Sequence, residues 1–402
     1  MQELNALAQA NGMQVVQTVT QVLDHPYAGT YFGRGKIKQL DQITRDQHAD
    51  YLIVNDELSP SQIRNLEKMT GVNIIDRTGL ILEIFANRAR TREAKLQVQL
   101  ARLKYQLPRL RTSASVRLDQ QTGTGGGSYT NRGAGETLIE MKRRTLAHRM
   151  DNIRHHLKSV AKTKRVQSQR RKANPIPNVA LVGYTNAGKS TIMDQLIKHF
   201  SPERAKPVKV KNLLFATLST EVRKLQLPDR QEFMLSDTVG FVSKLPHELI
   251  RAFRSTLAEA ANADLLIQVV DYSSPHRQLM MQTTQRTLRK IGIHDLPMMT
   301  VFNKADRTDA EYPVQTGNDL IMSAKDPNPK SIRQLVKMIR QRIYRHYVTK
   351  QFLIPFTQGQ LVSYFNTYTD VLDTQYSAKG TLIQANLSKS LASRFRNYLI
   401  QK

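Results

Sequence analysis

Eight consecutive residues, Gly183-Tyr184-Thr185-Asn186-Ala187-Gly188-Lys189-Ser190, carry the spacing G-x-x-x-x-G-K-S. Glycines at those places let backbone N–H groups turn inward onto an anion, and the amine and hydroxyl at the end suit polyphosphate oxygens and a hard cation. The pattern predicts that Lys189 reaches the β- and γ-phosphates of a nucleoside triphosphate and that Ser190 ligates Mg²⁺. Further on, Asp237-Thr238-Val239-Gly240 offers a carboxylate for the outer shell of that ion. It also offers a glycine whose N–H can approach a γ-phosphate. Asn303-Lys304-Ala305-Asp306 then selects the base: the Asp306 carboxylate can accept two parallel hydrogen bonds from N1 and N2 of guanine, a donor pair that adenine lacks. Ser323-Ala324-Lys325 supplies a backbone N–H for the guanine carbonyl. Taken in this order, the motifs make GTP and GDP, with Mg²⁺, the expected ligands.

The remaining candidates concern hydrolysis. In Phe215-Ala216-Thr217-Leu218-Ser219, Thr217 is placed to close on Mg²⁺ when a γ-phosphate is present. Lys189, Thr217 and Gly240 form the expected catalytic set. Phe241 stands where Ras-like GTPases carry the glutamine that orients attacking water, and a phenyl ring cannot do that. Slow intrinsic hydrolysis, accelerated by a partner, is the expectation; the ring can also pack against the next helix.

Strands and helices must hold these loops in place. The short apolar run from Asn178 to Val182 leads into the first motif, and Ile192, Leu196 and Phe200 repeat at helical spacing behind it. Glu232 to Leu235, Leu265 to Val270, Met298 to Phe302 and Asp319 to Met322 read as further strands. Together they predict an α/β class with a P-loop GTPase core over 175–350, its sheet mostly parallel. Ahead of it, 1–90 reads as a small α/β domain: strand-like Met13 to Val19, a helix from Lys36, a strand from Asp50 to Val54, a helix opened by Ser59-Pro60, and a strand from Val72 to Ile75. Gly33-Arg34-Gly35-Lys36 reads as a loop. Residues 351–402, with Phe352 to Phe356 and an aromatic helix holding Tyr364, Phe365 and Tyr368, read as a small α+β domain.

Between them, 91–174 reads as a two-helix antiparallel hairpin. Leu100, Leu103, Leu107 and Leu110 step along one face, and Ile139, Leu146, Met150, Ile153, Leu157 and Val160 along another. A glycine-rich loop holding Gly123, Gly125, Gly126, Gly127, Gly133 and Gly135 joins them. From Lys142 to Lys172 there are twelve Lys and Arg residues against Asp151 as the only acid. Such crowding suits RNA phosphates, with Arg132, Arg143, Arg144, Arg154, Lys158 and Arg165 as candidate contacts.

Composition agrees. The 402 residues carry 60 basic and 33 acidic side chains, a formal net charge of +27, which points to a polyanion, either nucleic acid or an anionic membrane surface. No apolar run reaches the roughly 18 residues of a membrane span, and the first residues are polar. Zero cysteines exclude disulfides, thiolate zinc and cysteine catalysis. A cytoplasmic monomer, with peripheral membrane association as the other option, is the expectation.

Several segments resemble the HflX family of ribosome-associated GTPases: Thr30-Tyr31-Phe32-Gly33-Arg34-Gly35-Lys36, Asp56-Glu57-Leu58-Ser59-Pro60, Asp76-Arg77-Thr78-Gly79-Leu80-Ile81-Leu82, Arg88-Ala89-Arg90-Thr91, Gly135-Glu136-Thr137, and Asp237 to Phe241. The resemblance spans nearly the whole chain. It implies a GTP-dependent factor that binds the large ribosomal subunit and its ribosomal RNA, extends the hairpin toward the peptidyl transferase region and helps separate stalled or idle ribosomes. Ala134 in the loop, Leu138 and Lys142 in the second helix, and Ser219 after the Thr217 segment depart from the family pattern. An rRNA-remodelling or assembly NTPase using ATP or GTP is the alternative, and a membrane-surface GTPase a third class.

Overall fold

The computed structural model describes residues 2–110, 130–172, 176–201, 215, 221–227, 231–246, 249–250, 260–345 and 347–400, with side chains over 140–162 of the segment 130–172. It divides into two compact units: Met1–Thr163 with Asn212–Ser219 and Ser243–Ser255, and Lys164–Lys211 with Thr220–Val242 and Thr256–Lys402.

In the first unit, helices α1 (Gln2–Ala10), α2 (Arg34–Asp46), α3 (Pro60–Thr70) and α4 (Arg77–Arg88) surround strands β1 (Tyr51–Val54) and β2 (Asn73–Asp76), which pair in parallel. The start of α3 follows from its sequence. Ser59 Oγ accepts from Gln62 N while Gln62 Oε1 accepts from Ser59 N, Pro60 fills the first turn, and Gly71 ends the helix at φ 70°. Gly33-Arg34-Gly35-Lys36 is a helix start, with Gly33 capping α2. Met13 to Val19 joins no strand ladder. Its side chains instead share with β1 the lining of a 480 Å³ cavity that includes Val15, Val19, Leu52 and Val54.

The root of the hairpin is fixed by Asp76, which is fully buried. Its carboxylate accepts from Leu58 N at 3.0 Å, Gly79 N at 2.7 Å, the Tyr105 hydroxyl at 2.6 Å and Arg109 Nη2 at 3.0 Å. Four donors on three segments offset the cost of burying the charge. Burial, together with Asp76, holds the Tyr105 phenol well above its ordinary value. Helix α5 (Arg92–Gln106) is capped by Thr91, and α6 runs over Thr130–Lys172. Leu100, Leu103 and Leu107 share one apolar cluster with Leu146, Met150, Ile153 and Leu157, which takes in part of each stripe anticipated from spacing; the side chain of Ile139 lies outside the described residues.

The second unit is built on a sheet of seven strands: β3 (Asn178–Gly183), β4 (Glu221–Gln226), β5 (Glu232–Asp237), β6 (Leu265–Asp271), β7 (Met298–Asn303), β8 (Val314–Thr316) and β9 (Asp319–Ile321). Their order is β4-β5-β3-β6-β7-β9-β8, antiparallel at each edge and parallel between. The β6 run Leu265 to Val270 is buried throughout, as a strand covered on both faces requires. Helices α7 (Lys189–Phe200), α8 (Arg277–Lys290) and α9 (Lys330–Ile343) cover the sheet, and Leu196, Ile332, Leu335 and Ile339 share its core.

A three-stranded sheet, β10 (Tyr347–Ile354), β11 (Asp370–Ser377) and β12 (Gly380–Ser388), ordered β10-β12-β11, carries α10 (Gly359–Tyr368) and α11 (Lys389–Arg394). Phe365 is fully buried there beside Phe352 and Phe395, 4.8 and 5.0 Å between ring centres. The chain is thus an α/β protein with a mostly parallel seven-stranded sheet that carries the G-x-x-x-x-G-K-S loop, a helical N-terminal region and a β-rich C-terminal end.

Candidate nucleotide-binding site

The loop after β3 and the start of α7 lie at the carboxyl end of a central strand. There the chain order reverses from β5 on one side to β6 on the other, the place where open α/β sheets bind ligands. Lys189 is 6% exposed, and its Nζ donates to the carbonyls of Gly183 at 3.1 Å and Tyr184 at 2.9 Å. Two of three ammonium protons are spent on the loop itself, which leaves one for a phosphate oxygen. Burial pulls the Lys189 ammonium down to about 8; Asp237 opposes this and Lys304 adds to it. An arriving phosphate would favour the charged form.

The Ser190 hydroxyl donates to Asp237 Oδ2 at 2.7 Å. A hydroxyl and a carboxylate this close are the hard oxygen donors that Mg²⁺ takes, so the pair fits the expected ion and could hold it. Thr238 is anchored below by donating to Leu181 O at 2.7 Å. Val239 is buried.

Gly188 sits at φ 99°, and a Cβ there would stand 2.1 Å from Asn303 Nδ2, so no other residue fits. That closeness has a purpose. Asn303 Nδ2 donates to Ala187 O at 2.9 Å, and Asn303 Oδ1 accepts from Ala324 N at 2.9 Å. Both ends of the amide are spent on protein, stapling the phosphate loop to the Ser323-Ala324-Lys325 turn. Asp306 Oδ1 accepts from Ser323 Oγ at 2.5 Å, and Ser323 Oγ also accepts from Lys325 N at 3.1 Å. These bonds orient the carboxylate expected to read guanine. Ala305 is fully buried.

Lys304, at φ 68°, pairs with Asp271 Oδ2 at 2.7 Å, and Ser273 holds the other oxygen through its N and Oγ at 3.1 and 2.6 Å. Sequence reasoning missed Asp271; the available signal was an acid closing a strand that is apolar apart from Gln268.

Phe241 is 2% exposed, so its ring is buried. Its N donates to Gly183 O at 3.1 Å and its O accepts from Thr185 N at 2.7 Å, a parallel bridge that lays the segment along the phosphate loop. A Cβ on Gly240 would meet Thr185 Cα at 2.8 Å and Lys189 Nζ at 3.0 Å.

In the first unit, Phe215 is 1% exposed with its ring 4.5 Å from that of Phe85. Ala216, Thr217, Leu218 and Ser219 lie outside the described residues, as do the side chains of Arg132 and Arg165. Arg143, Arg144, Arg154 and Lys158 are exposed along α6. Arg144 pairs with Glu140 at 2.9 Å and Arg154 with Asp151 at 2.5 Å.

Three family models match the chain: a GTP-binding GTPase N-terminal region over residues 1–86, a GTP-binding GTPase middle region over 88–171, and a 50S ribosome-binding GTPase over 178–304. The GTPase HflX of Caldanaerobacter subterraneus subsp. tengcongensis is 39% identical over 398 residues, which is 99% of this chain and 90% of that protein. The GTPase HflX of Alkalihalophilus pseudofirmus is 40% identical over 362 residues, 90% of this chain and 82% of the relative. Among solved structures, a crystal structure of an SsGBP and GDP complex is 25% identical with a TM-score of 0.47, covering 85% of this chain and 95% of that one. Full-length identity at this level, over a chain whose phosphate loop, Ser190–Asp237 pair and Asn303–Asp306 turn converge at one end of one sheet, makes this protein a GTPase of the HflX family.

Proposed function

We propose that this GTPase acts on the ribosome: it binds the large subunit with GTP in place, presents the hairpin to ribosomal RNA, and promotes splitting, recycling or rescue of ribosomes under stress. One observation supports the switch half of this reading above others. Asn303 joins the phosphate loop and the Ser323-Ala324-Lys325 turn through 2.9 Å bonds on both sides, so phosphate and base recognition move together.

In this reading the Gly183–Ser190 backbone and the dipole of α7 cradle the phosphates, and Lys189 donates its remaining proton to the β- and γ-phosphates. Ser190, Thr217 and Asp237 would hold Mg²⁺, Asp237 from the outer shell, and the ion would supply charge neutralisation at the phosphates. Gly240 N–H meets the γ-phosphate, Asp306 accepts from guanine, and Ala324 or Lys325 donates to its carbonyl. The buried Phe241 ring offers no group to orient water, so hydrolysis alone is slow and ribosome contact speeds it. The exposed Arg143, Arg144, Arg154 and Lys158 meet RNA phosphates, joined by Arg132 and Arg165.

The test is sedimentation of intact ribosomes with the protein and a non-hydrolysable GTP analogue. Free subunits should appear with the analogue and not with GDP. Ribosomes that stay whole at saturating protein would sink the proposal.

A further inference from the structure

Asp271 closes β6, and its Oδ1 accepts from Ser273 N at 3.1 Å and from Ser273 Oγ at 2.6 Å. That leaves Oδ2 for the Lys304 ammonium at 2.7 Å, in a pair whose side chains are 19% and 13% exposed. The ends of the two strands are laced as well. Asp271 stands opposite Asn303 in the β6–β7 register, and Tyr272 N donates to Asn303 O at 2.8 Å. With one oxygen held by its own turn and the other by the lysine, the direction of the carboxylate is fixed.

Lys304 is held in a conformation that a lysine seldom adopts. Its φ of 68° is left-handed, and a non-glycine residue persists there where its surroundings over-determine it. The Asp271 bond supplies that constraint. One of the three ammonium protons goes to Asp271, and the other two have no protein acceptor among the described residues. The same ammonium is one of the two charges that act on Lys189, so it stands within electrostatic reach of the phosphate loop. A mostly buried cation with two spare donors, anchored by a fixed carboxylate, is suited to a ligand oxygen.

Sheet order identifies the part of the ligand that passes there. The phosphate loop follows β3 and the Asn303–Asp306 motif follows β7, while β6 lies between them. Neighbouring strands are about 4.8 Å apart, so the two ends of the site are separated by roughly 10 Å. A nucleotide with its phosphates on the first and its base on the second carries its sugar over the end of β6, where Asp271 and Lys304 stand.

We propose that Asp271 is a positioning residue for nucleotide binding: through Lys304 it sets the seat beneath the sugar that joins base to phosphates. This role rests on the reading of Asn303–Asp306 as the base site. Without the carboxylate, Lys304 keeps its charge but loses its counter-ion, and its four-carbon stem has to be ordered when the ligand arrives, which costs affinity. Diphosphate and triphosphate share the sugar, so both lose equally.

The test titrates the full-length protein and its variants with GDP and with a non-hydrolysable GTP analogue. Asp271→Asn keeps the shape of the side chain and the Ser273 bonds; it should weaken both ligands about tenfold and leave their ratio within twofold of wild type. In the Lys304→Met background the same substitution should cost less than twofold, because the acid acts through the lysine. An acid that merely supports the fold would cost the same factor in either background. Undiminished loss in the double variant therefore overturns the proposal, as does an Asp271→Asn affinity for GDP within twofold of wild type. If Asp271→Asn does not fold, Ser273→Ala, which frees one oxygen of the acid, decides by the same comparison: about threefold loss, absent in the Lys304→Met background. Asp306→Ala keeps the two failures apart. Unchanged GDP affinity in that variant overturns the base reading and the positioning role with it, whereas a large drop there with none in Asp271→Asn overturns the positioning role alone.

Discussion

Asn303 Nδ2 donates to the carbonyl of Ala187 across 116 residues of sequence, and Gly188 is a glycine because that amide passes 2.1 Å from where its Cβ would be. The same side chain accepts from Ala324 N. Phosphate loop and base loop are therefore one mechanical piece, and most of what the site can be made to do follows from how that piece is held.

Asn303→Ala removes a buried donor and a buried acceptor at once. It should destabilise the protein by about 2 to 4 kcal/mol, seen as a lower thermal midpoint. GDP and GTP affinities should fall together; a midpoint within a degree of wild type would mean that the staple carries no stability.

Guanine selection should fail separately. With Asp306→Ala, the two hydrogen bonds to N1 and N2 disappear, and GTP affinity should drop about a hundredfold or more relative to ATP. Thermal stability should change little, since Asp306 is exposed and its carboxylate gives up a single hydrogen bond, to Ser323 Oγ. Competition of ATP against fluorescent GDP reads the result, and unchanged discrimination would assign the base to other residues.

The Lys189 ammonium, lowered to about 8 by burial, predicts a pH profile. Above that value the free protein loses the proton that a phosphate needs, so nucleotide affinity should fall between pH 7.5 and pH 9.5, by at most about tenfold per unit for one proton taken up. Stability runs the other way. A lysine whose folded value lies below its unfolded one binds more protons when unfolded, so from about 8 up to the unfolded value its contribution to stability rises with pH. Lys189→Met should flatten both trends; a slope that survives that change belongs elsewhere.

Along α6, Arg143→Glu with Arg144→Glu should weaken RNA or ribosome binding and make what remains less sensitive to salt, as expected when phosphate contacts are removed. Arg144 already pairs with Glu140, so Arg143 should carry the larger share of the effect. Binding titrations at several salt concentrations decide it.

How much of this could be read in advance depended on how local each feature is. The phosphate loop, Asp237 to Gly240 and Asn303 to Asp306 are short runs with fixed geometry, and each sits at the end of a strand whose apolar residues announce it. The leucine stripes of α5 and α6 were equally plain. Edge elements were not: β4, with Glu221, Arg223 and Lys224, alternates too weakly to separate from a loop, and the polar β11 hides the C-terminal hairpin for the same reason. Met13 to Val19 alternates well, yet lines a cavity beside β1 instead of joining a ladder. Asp76, Arg77 and Glu3 were invisible as a set, because their partners lie up to 240 residues away and no spacing rule reaches that far.

The pairing of Phe215 with Phe85 bears on how this chain can be divided. A fragment beginning at Pro177 would hold every nucleotide motif, yet it would leave the Phe215 ring without the phenyl group it packs against and Ser243 and Lys244 without Arg77, Glu3 and Asp56. Nucleotide measurements on such a piece would report a different energy balance from that of the intact protein. The boundaries at which the sequence can be cut are not the boundaries at which the energy is stored.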